Sequence, residues 1–260
     1  MSEYNRLALL VSDSDRAREA ADMAFRKLTN WVPLDDADAA VIIGGDGFML
    51  QTLHAMLDRK RIIPVYGLNL GTVGFLMNRN RNPDTLLSRI ARAKPHRIAP
   101  LSMEARTQDD QTHRFNAINE VSLLRETRQT AKLEVAVDGK VRIKELVCDG
   151  VLLATPAGST AYNLSADGPI LPLDSQLLAL TPISAFRPRR WKGAILPDRS
   201  RVTFRVIESV KRPVSAVADQ RELRDVAEVS LAIDRQKELT LLFDPGHALD
   251  ERSVSEQFVF

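Results

Sequence analysis

The chain has 260 residues, of which 44% are hydrophobic and 27% charged, as is usual for a globular protein. Its 36 basic residues nearly balance its 34 acidic residues, and a net charge of only +2 argues against a main role in holding nucleic acid. We expect no signal peptide, because the N-terminal apolar run of about six residues is too short and acids follow it. We also expect no membrane span, because no apolar run approaches the ~20 residues that a bilayer requires. The single cysteine, Cys148, cannot form an internal disulfide, so we expect a cytoplasmic protein.

Strand-like and helix-like segments alternate in the first hundred residues. The predicted strands are 6–12, 39–45 and 61–71, and the predicted helices that flank them include 14–30 and 82–93. The segment after the second strand repeats apolar residues at helical spacing, which predicts a helix packed on a sheet; these residues are Met49, Leu53, Met56 and Leu57. Such alternation indicates parallel strands joined by crossovers, the α/β class.

Short, turn-bounded segments rich in β-branched residues fill the chain from about 98 to 245, among them NAINEVSLL, GVLLAT, SRVTFRVIE, AEVSLAID and ELTLLFD. Asp138-Gly139, within AKLEVAVDGKVRIKEL, is a strong hairpin signal. We therefore predict an N-terminal Rossmann-like α/β domain over 1–97, to which a tail from about 246 to 260 returns. A C-terminal, antiparallel, β-rich and sandwich-like domain over 98–245 follows, with the site in the cleft between the two.

The glycine-rich turn GGDG, residues 44–47, places an acid between a strand and a helix. It matches neither the GxxxxGK[ST] phosphate loop nor the GxGxxG dinucleotide fingerprint. One interpretation is that Asp46 caps the helix. The other is that Asp46 points into a cleft at the carboxyl ends of the strands, where it orients or deprotonates a hydroxyl that attacks a phosphate. The residues alone leave both open.

Two further segments are candidates for a binding site. Asn119 and Glu120 are adjacent in a strand-like run, where neighbours point to opposite faces, so in a regular strand only one would reach a given ligand; the alternative is a surface acid beside a turn-like asparagine. Residues 148–170 combine glycines, hydroxyl side chains and Tyr162 after a buried strand, although such a composition also suits an ordinary loop. The basic run FRPRRWKG, 186–193, is either a solvated face or a contact with donor phosphates or a partner subunit.

Together these segments resemble the NAD kinase family over most of the chain. GGDG resembles its first motif, NE in NAINEV its second, and DGVLLATPAGSTAYNLSADGPI its long third motif, in the same order and spacing. Diacylglycerol kinases, sphingosine kinases and 6-phosphofructokinases use similar GGDG turns, so the specificity of the resemblance comes from the third motif.

The resemblance implies transfer of the γ-phosphate of ATP to the adenosine ribose 2′-hydroxyl of NAD, giving NADP, with Asp46 as the catalytic base. It also implies an NAD-binding set: Asp46, Gly47, Phe75, Asn119, Glu120, Asp149, Ala157, Thr160, Ala161, Tyr162, Asn163, Leu164, Ser165 and Gln220. In the family, Phe75 matches an aromatic near the adenine pocket. Ala157 stands where many members carry serine, and Gln220, in VADQREL, matches a D-x-Q segment only loosely.

The resemblance further implies a divalent cation, Mg²⁺, that accompanies ATP, and a homo-oligomer in which dimers assemble into tetramers. The backbone amides of the 44–47 and 71–74 turns would hold the donor, ATP or polyphosphate. The four histidines show no ligand spacing, so we expect no protein-bound metal. Two alternatives are a lipid or sphingoid kinase of the same superfamily and a non-catalytic NAD(P)-binding sensor, which would not need Asp46.

Overall fold

The structure, a computed structural model, describes residues 4–71, 74–79 and 82–245. The chain forms two compact units: the first runs to Ile98 and resumes at Lys237, and the second is Ala99–Gln236. Within the described ranges, no helix combines the length and apolar character needed to cross a bilayer.

The first unit alternates strands and helices, as predicted. Its elements up to the first boundary are β1 (Leu7–Val11), α1 (Asp15–Ala20), β2 (Ala39–Gly44), α2 (Asp46–Arg59), β3 (Val65–Asn69), β4 (Asn78–Arg79), α3 (Leu86–Ile90) and β5 (Lys94–Ile98). The helix predicted over 14–30 is shorter than expected, since α1 passes into a π-helical turn, Ala21–Phe25. The helix predicted over 82–93 is also shorter, and a 3-10 turn, Pro83–Thr85, precedes α3.

The second unit is β-rich, as predicted. Its elements are β6 (Leu101–Thr107), β7 (Thr112–Ala117), β8 (Glu120–Arg125), β9 (Ala131–Val137), β10 (Lys140–Cys148), β11 (Gly150–Ala154), α4 (Tyr162–Ser165), β12 (Leu177–Ile183), β13 (Ala194–Pro197), β14 (Val202–Val206), β15 (Val214–Ala218), β16 (Arg221–Leu223) and β17 (Val226–Ile233). Two antiparallel sheets, ordered β10-β9-β14-β17-β6-β7 and β13-β12-β11-β8-β15-β16, share one apolar core. The predicted hairpin is confirmed: Asp138 and Gly139 both have positive φ, 51° and 74°.

The last described strand, β18 (Leu239–Phe243), belongs to the first unit, whose sheet is ordered β1-β2-β3-β18-β5 with β4 beside β3. The expected domain boundary was therefore wrong here, because ELTLLFD had been assigned to the β-rich domain. β18 runs parallel to β3 and antiparallel to β5. Consecutive residues of β18 are buried, a pattern typical of a strand covered on both faces. The predicted tail, 246–260, lies outside the described residues.

Helices cover both faces of this sheet. Leu7, Val41 and Tyr66 share a core with Phe25 and with residues of α3. Gly67 follows Tyr66 in β3 and faces the other side, where Met49 of α2 approaches so closely that a Cβ on Gly67 would lie 2.5 Å from its Cε. All four apolar α2 residues named in the sequence analysis are buried, so the predicted packing of this helix is confirmed. This packing fixes the start of α2 directly after β2.

Candidate functional site

Asp46 is the first residue of α2, and the helix N-cap is Gly45, which has no side chain. The interpretation of Asp46 as the capping residue is therefore wrong. Its half-buried carboxylate accepts two backbone N–H groups from the segment after β3: that of Phe75 at 2.6 Å and that of Leu76 at 3.2 Å. Because these donors are backbone groups distant in sequence, they hold the carboxylate in one orientation.

The segment that supplies these donors is anchored by two asparagines. At the end of β3, the side-chain oxygen (Oδ1) of Asn69 accepts the Gly71 N–H at 2.8 Å. In β4, the Asn78 side-chain NH₂ donates to the carbonyls of Gly67 (3.1 Å) and Leu242 (2.9 Å), and its oxygen accepts the Asp244 N–H at 2.8 Å. Of the predicted 71–74 phosphate turn, residues 72 and 73 lie outside the described ranges.

The glycines around Asp46 leave space beside the turn. A Cβ on Gly45 or Gly47 would meet no described atom within 4 Å. Neither glycine has the positive φ that would require its backbone freedom; that of Gly45 is −126°. The described part of the fold therefore does not require glycine at these positions.

In the second unit, Asn119 lies in the bend between β7 and β8, and Glu120 is the first residue of β8. The alternation of a regular strand, in which only one of the two would reach a given ligand, therefore does not apply to the pair. Among the described residues, the Asn119 Oδ1 and the Glu120 Oε2 are buried without a hydrogen-bond partner. A buried polar atom without a partner costs about 1–3 kcal/mol, which makes both oxygens candidates for ligand contacts.

The segment after β11 packs directly on this bend. The Thr155 hydroxyl donates to the Ile118 carbonyl at 2.7 Å, and the Thr155 N–H donates to the Asn119 carbonyl at 2.9 Å. A Cβ on Gly158 would lie 2.2 Å from that Asn119 oxygen, so only glycine permits this approach. Ser159 is buried and bonded to the backbone of Pro156 and Leu171. The second and third motifs are thus brought together.

The predicted binding residues of the third motif differ in accessibility. Thr160, Ala161 and Tyr162 are half-buried, Leu164 and Ser165 are exposed, and Ala157 is buried. Asn163 was expected to bind NAD, but its buried side chain is used within the protein. Its NH₂ donates to Ser159 and Pro169 carbonyls, and its oxygen accepts the Thr181 hydroxyl at 2.7 Å. The Asn163 amide therefore holds the loop, and a contact of this residue with NAD stays a prediction.

Burial and charge set the protonation of this site. Burial, and next the nearby Asp219 carboxylate, raise the pKa of Glu120 to about 8, while a backbone hydrogen bond from Tyr162 acts in the opposite direction. Glu120 is therefore mainly neutral at pH 7 and can donate a hydrogen bond. Burial also raises the pKa of Tyr162, and the charges of Glu120 and Asp149 raise it further. The phenol thus lies near both acids.

The remaining predicted residues lie at the edges of this site. Asp149 precedes β11 and pairs with Arg125 at 2.6 Å, so its carboxylate already has a cationic partner. Gln220 is exposed in the turn between β15 and β16. Its neighbour Asp219, which the sequence analysis overlooked, accepts three N–H groups of the Asn119 bend. The available signal was the aspartate in VADQREL, the segment that loosely matches the family's D-x-Q pattern. Burial raises the pKa of the Cys148 thiol to about 12, as expected of a packing residue.

The basic run over 186–193 surrounds an exposed aromatic ring. Phe186 is 54% exposed, and the guanidinium groups of Arg187 and Arg189 lie within 6 Å of its ring.

Within the described ranges, no three His, Cys, Asp or Glu side chains gather in a way that could hold a metal ion.

Comparison with known proteins identifies the family. Residues 10–93 match the ATP-NAD kinase N-terminal domain, and residues 118–242 match the ATP-NAD kinase C-terminal domain. The chain belongs to the NAD kinase family. It is 62% identical over 253 residues to an NAD kinase of Rhizorhabdus wittichii, which spans 97% of this chain and 98% of that protein. It is also 59% identical over 256 residues to an NAD kinase of Zymomonas mobilis, spanning 98% of each chain.

Solved structures of NAD kinases share the fold. Yeast NADH kinase, complexed with NADH, superposes with a TM-score of 0.79 at 20% identity, covering 98% of this chain and 88% of that one. An NAD kinase from Archaeoglobus fulgidus, in complex with ATP, gives a TM-score of 0.73 at 23% identity, covering 97% and 98%. The α/β unit followed by a β-rich unit is therefore the fold of these proteins.

Proposed function

We propose that this member of the NAD kinase family transfers the γ-phosphate of ATP to the adenosine ribose 2′-hydroxyl of NAD, forming NADP and ADP. The observation that carries the proposal is the Asp46 carboxylate, which two backbone N–H groups hold beside glycines that leave open space. A helix cap needs no such support from a distant segment, whereas a group that must meet a substrate hydroxyl does.

In the proposed reaction, Asp46 orients the 2′-hydroxyl and accepts its proton. The ribose oxygen forms a bond to the γ-phosphorus, the bond from that phosphorus to the β,γ-bridging oxygen breaks, and ADP leaves. A carboxylate is a weak base toward a hydroxyl, so the proton moves late, as the new P–O bond reduces the basicity of the oxygen. Positioning and electrostatic stabilisation contribute most of the catalysis in such transfers.

The proposed contacts with NAD come from the second unit. Asn119 and Glu120 each present a buried oxygen that lacks a partner among the described residues, and they suit the hydroxyl groups of a nucleoside. Thr160, Ala161 and Tyr162 offer backbone and side-chain groups in the half-buried part of the third motif. The roles of Phe75, Ser165 and Gln220 follow from the family resemblance.

The divalent cation enters this proposal with ATP, as the MgATP substrate. Phosphate oxygens can supply most of the ligands that Mg²⁺ needs, and the cation offsets their negative charge during transfer. Polyphosphate is an alternative donor.

We further propose that the protein is cytoplasmic and forms a homo-oligomer. Light scattering would reveal the oligomer as a particle of two or four times the 29.0 kDa chain mass.

The test is to incubate the purified protein with NAD and MgATP and to measure NADP with an NADP-specific dehydrogenase. The proposal predicts NADP formation that stops without the nucleotide donor and without Mg²⁺. Tight NAD or NADP binding without phosphate transfer from either ATP or polyphosphate would favour the sensor, and phosphorylation of a sphingoid base in place of NAD would favour the lipid kinase.

A further inference from the structure

The Asp219 side chain, in the turn between β15 and β16, accepts hydrogen bonds from three successive backbone N–H groups of the Asn119 bend. Its Oδ2 accepts the Ile118 N–H at 2.7 Å, and its Oδ1 accepts the N–H groups of Asn119 (3.0 Å) and Glu120 (3.1 Å). The Asp219 N–H in turn donates to the Glu120 carbonyl at 3.1 Å. Three successive N–H groups that converge on one carboxylate form an anion-binding concavity.

The backbone of the bend is fixed from both sides. Asp219 occupies its N–H groups, while Thr155 donates to the carbonyls of Ile118 and Asn119. Within the described part of the chain, the unpartnered buried oxygens of the bend are those of the Asn119 and Glu120 side chains. The protein therefore fixes the backbone with its own groups, and two side-chain oxygens are left for a ligand.

We propose that Asp219 is a positioning residue, which holds Asn119 and Glu120 in the geometry that binds NAD. This inference rests on the proposed function, since NAD is the ligand it invokes. Asp219 itself does not contact the ligand in this account.

The charge of Asp219 also affects the protonation of Glu120. The groups that act on Glu120 from neighbouring elements are the Asp219 carboxylate, in the β15–β16 turn, and Tyr162, at the start of α4, through its N–H and its phenol. Replacing Asp219 with a neutral residue removes the second-largest cause that raises the pKa of Glu120. In the variant, Glu120 must then lose its proton at a lower pH than in wild type. If NAD binding depends on the neutral carboxyl, the weakening of NAD binding with rising pH must also begin at a lower pH than in wild type.

The experiment compares wild type with Asp219→Asn, which keeps a residue type that tolerates the left-handed backbone at this position (φ 52°) but removes the charge and one acceptor. The KM for NAD should rise about tenfold or more, while kcat at saturating NAD and the KM for ATP change little. The rise in KM for NAD with pH should begin at a lower pH than in wild type. Asp225→Asn is the matched control, an exposed aspartate with the same φ of 52°.

Asp219→Glu separates charge from geometry, because it keeps the carboxylate but lengthens the side chain. It should raise the KM for NAD yet leave the pH profile near that of wild type, and it carries the test if the asparagine variant does not fold. A folded Asp219→Asn with an unchanged KM for NAD, or with an unshifted pH profile, would overturn the role of Asp219. A wild-type protein that neither binds nor phosphorylates NAD would instead overturn the proposed function, and this inference with it.

Discussion

Asp46, in the first unit, and Glu120, in the second, are both carboxyl side chains among the predicted binding residues, and their surroundings differ at the scale of single residues. Two backbone N–H groups point at Asp46 and offer donors to an ionised carboxylate. Glu120 is partly buried beside a second carboxylate, that of Asp219, and burial is the larger of the two effects that raise its pKa to about 8. The first group suits proton acceptance, and the second suits hydrogen-bond donation at neutral pH.

The raised pKa of Glu120 predicts a pH dependence of folding stability. Between about pH 4.5 and pH 8 the folded protein keeps a proton that the unfolded chain releases, so the free energy of unfolding should fall as pH rises through this window. Glu120→Gln mimics the neutral carboxyl and should remove this contribution. Urea unfolding of the ligand-free proteins from pH 5.5 to 8.5 measures it.

The control for that experiment is Glu222→Gln, a change at an exposed glutamate of β16. The stability difference between wild type and Glu120→Gln should shift in favour of the variant with rising pH, whereas the Glu222 variant should follow wild type. Parallel pH curves for all three proteins would contradict a neutral Glu120.

Gly47 tests whether the space beside the Asp46 turn belongs to a ligand. Gly47→Ala puts a methyl group where no described atom lies within 4 Å, in the first turn of α2, so stability should be unchanged or higher by up to ~1 kcal/mol. The value of kcat/KM for NADP formation should fall roughly tenfold or more, because small misplacements of reacting groups are costly.

Gly150→Ala is the contrasting change, since its Cβ would lie 2.2 Å from the Leu123 carbonyl oxygen. It should lower stability by about 1–3 kcal/mol through overpacking. Thermal unfolding and steady-state assays of both variants separate the two effects. Full activity in a folded Gly47→Ala protein would show that the space is not used by a ligand.

At the scale of elements, a buried ion pair joins α3 to the residue that follows β18. Arg89 of α3 meets Asp244, which follows β18, at 2.6 Å, and their side chains are 8% and 11% exposed. Asp244 also accepts the Tyr66 hydroxyl at 2.6 Å. We predict that Arg89→Ala lowers the free energy of unfolding by about 3–5 kcal/mol, because it leaves a buried carboxylate without its cation.

Urea unfolding measures this loss, with Arg6→Ala as the control. Arg6 pairs with Asp38 at 2.9 Å, but its side chain is 60% exposed, so removing this pair should cost much less stability than removing the buried one. Equal losses in the two variants would mean that Arg89 and Asp244 do not secure β18.

Local patterns predicted most elements, because helix and strand periodicity and turn residues act over a few positions. The α2 face and the Asp138-Gly139 hairpin are examples. Local patterns could not predict which sheet β18 joins. The contact between Asp244, which follows β18, and Arg89 links residues that lie 155 positions apart in the sequence. The turn at Asp219 likewise lies 99 residues or more from the N–H groups that it accepts.

For the whole molecule, the order of three motifs predicted the family, and matches to both domains of ATP-NAD kinases confirmed it. Motif order could not separate residues that face a ligand from residues that build the loop. Asn163 stands among the motif's polar residues, yet its buried amide is bonded to Ser159, Pro169 and Thr181. That distinction depends on burial and hydrogen bonding in three dimensions.

The most direct test compares kcat and the dissociation constant for NAD between wild type and Asp46→Asn. The melting temperature of both proteins is measured as well, because the substitution leaves either the Phe75 or the Leu76 N–H without its acceptor oxygen. If Asp46 accepts the proton of the ribose hydroxyl, kcat for NADP formation falls about 100-fold or more while NAD binding changes by less than about threefold. A folded Asp46→Asn protein with the wild-type kcat would contradict the account and leave Asp46 with a structural role only.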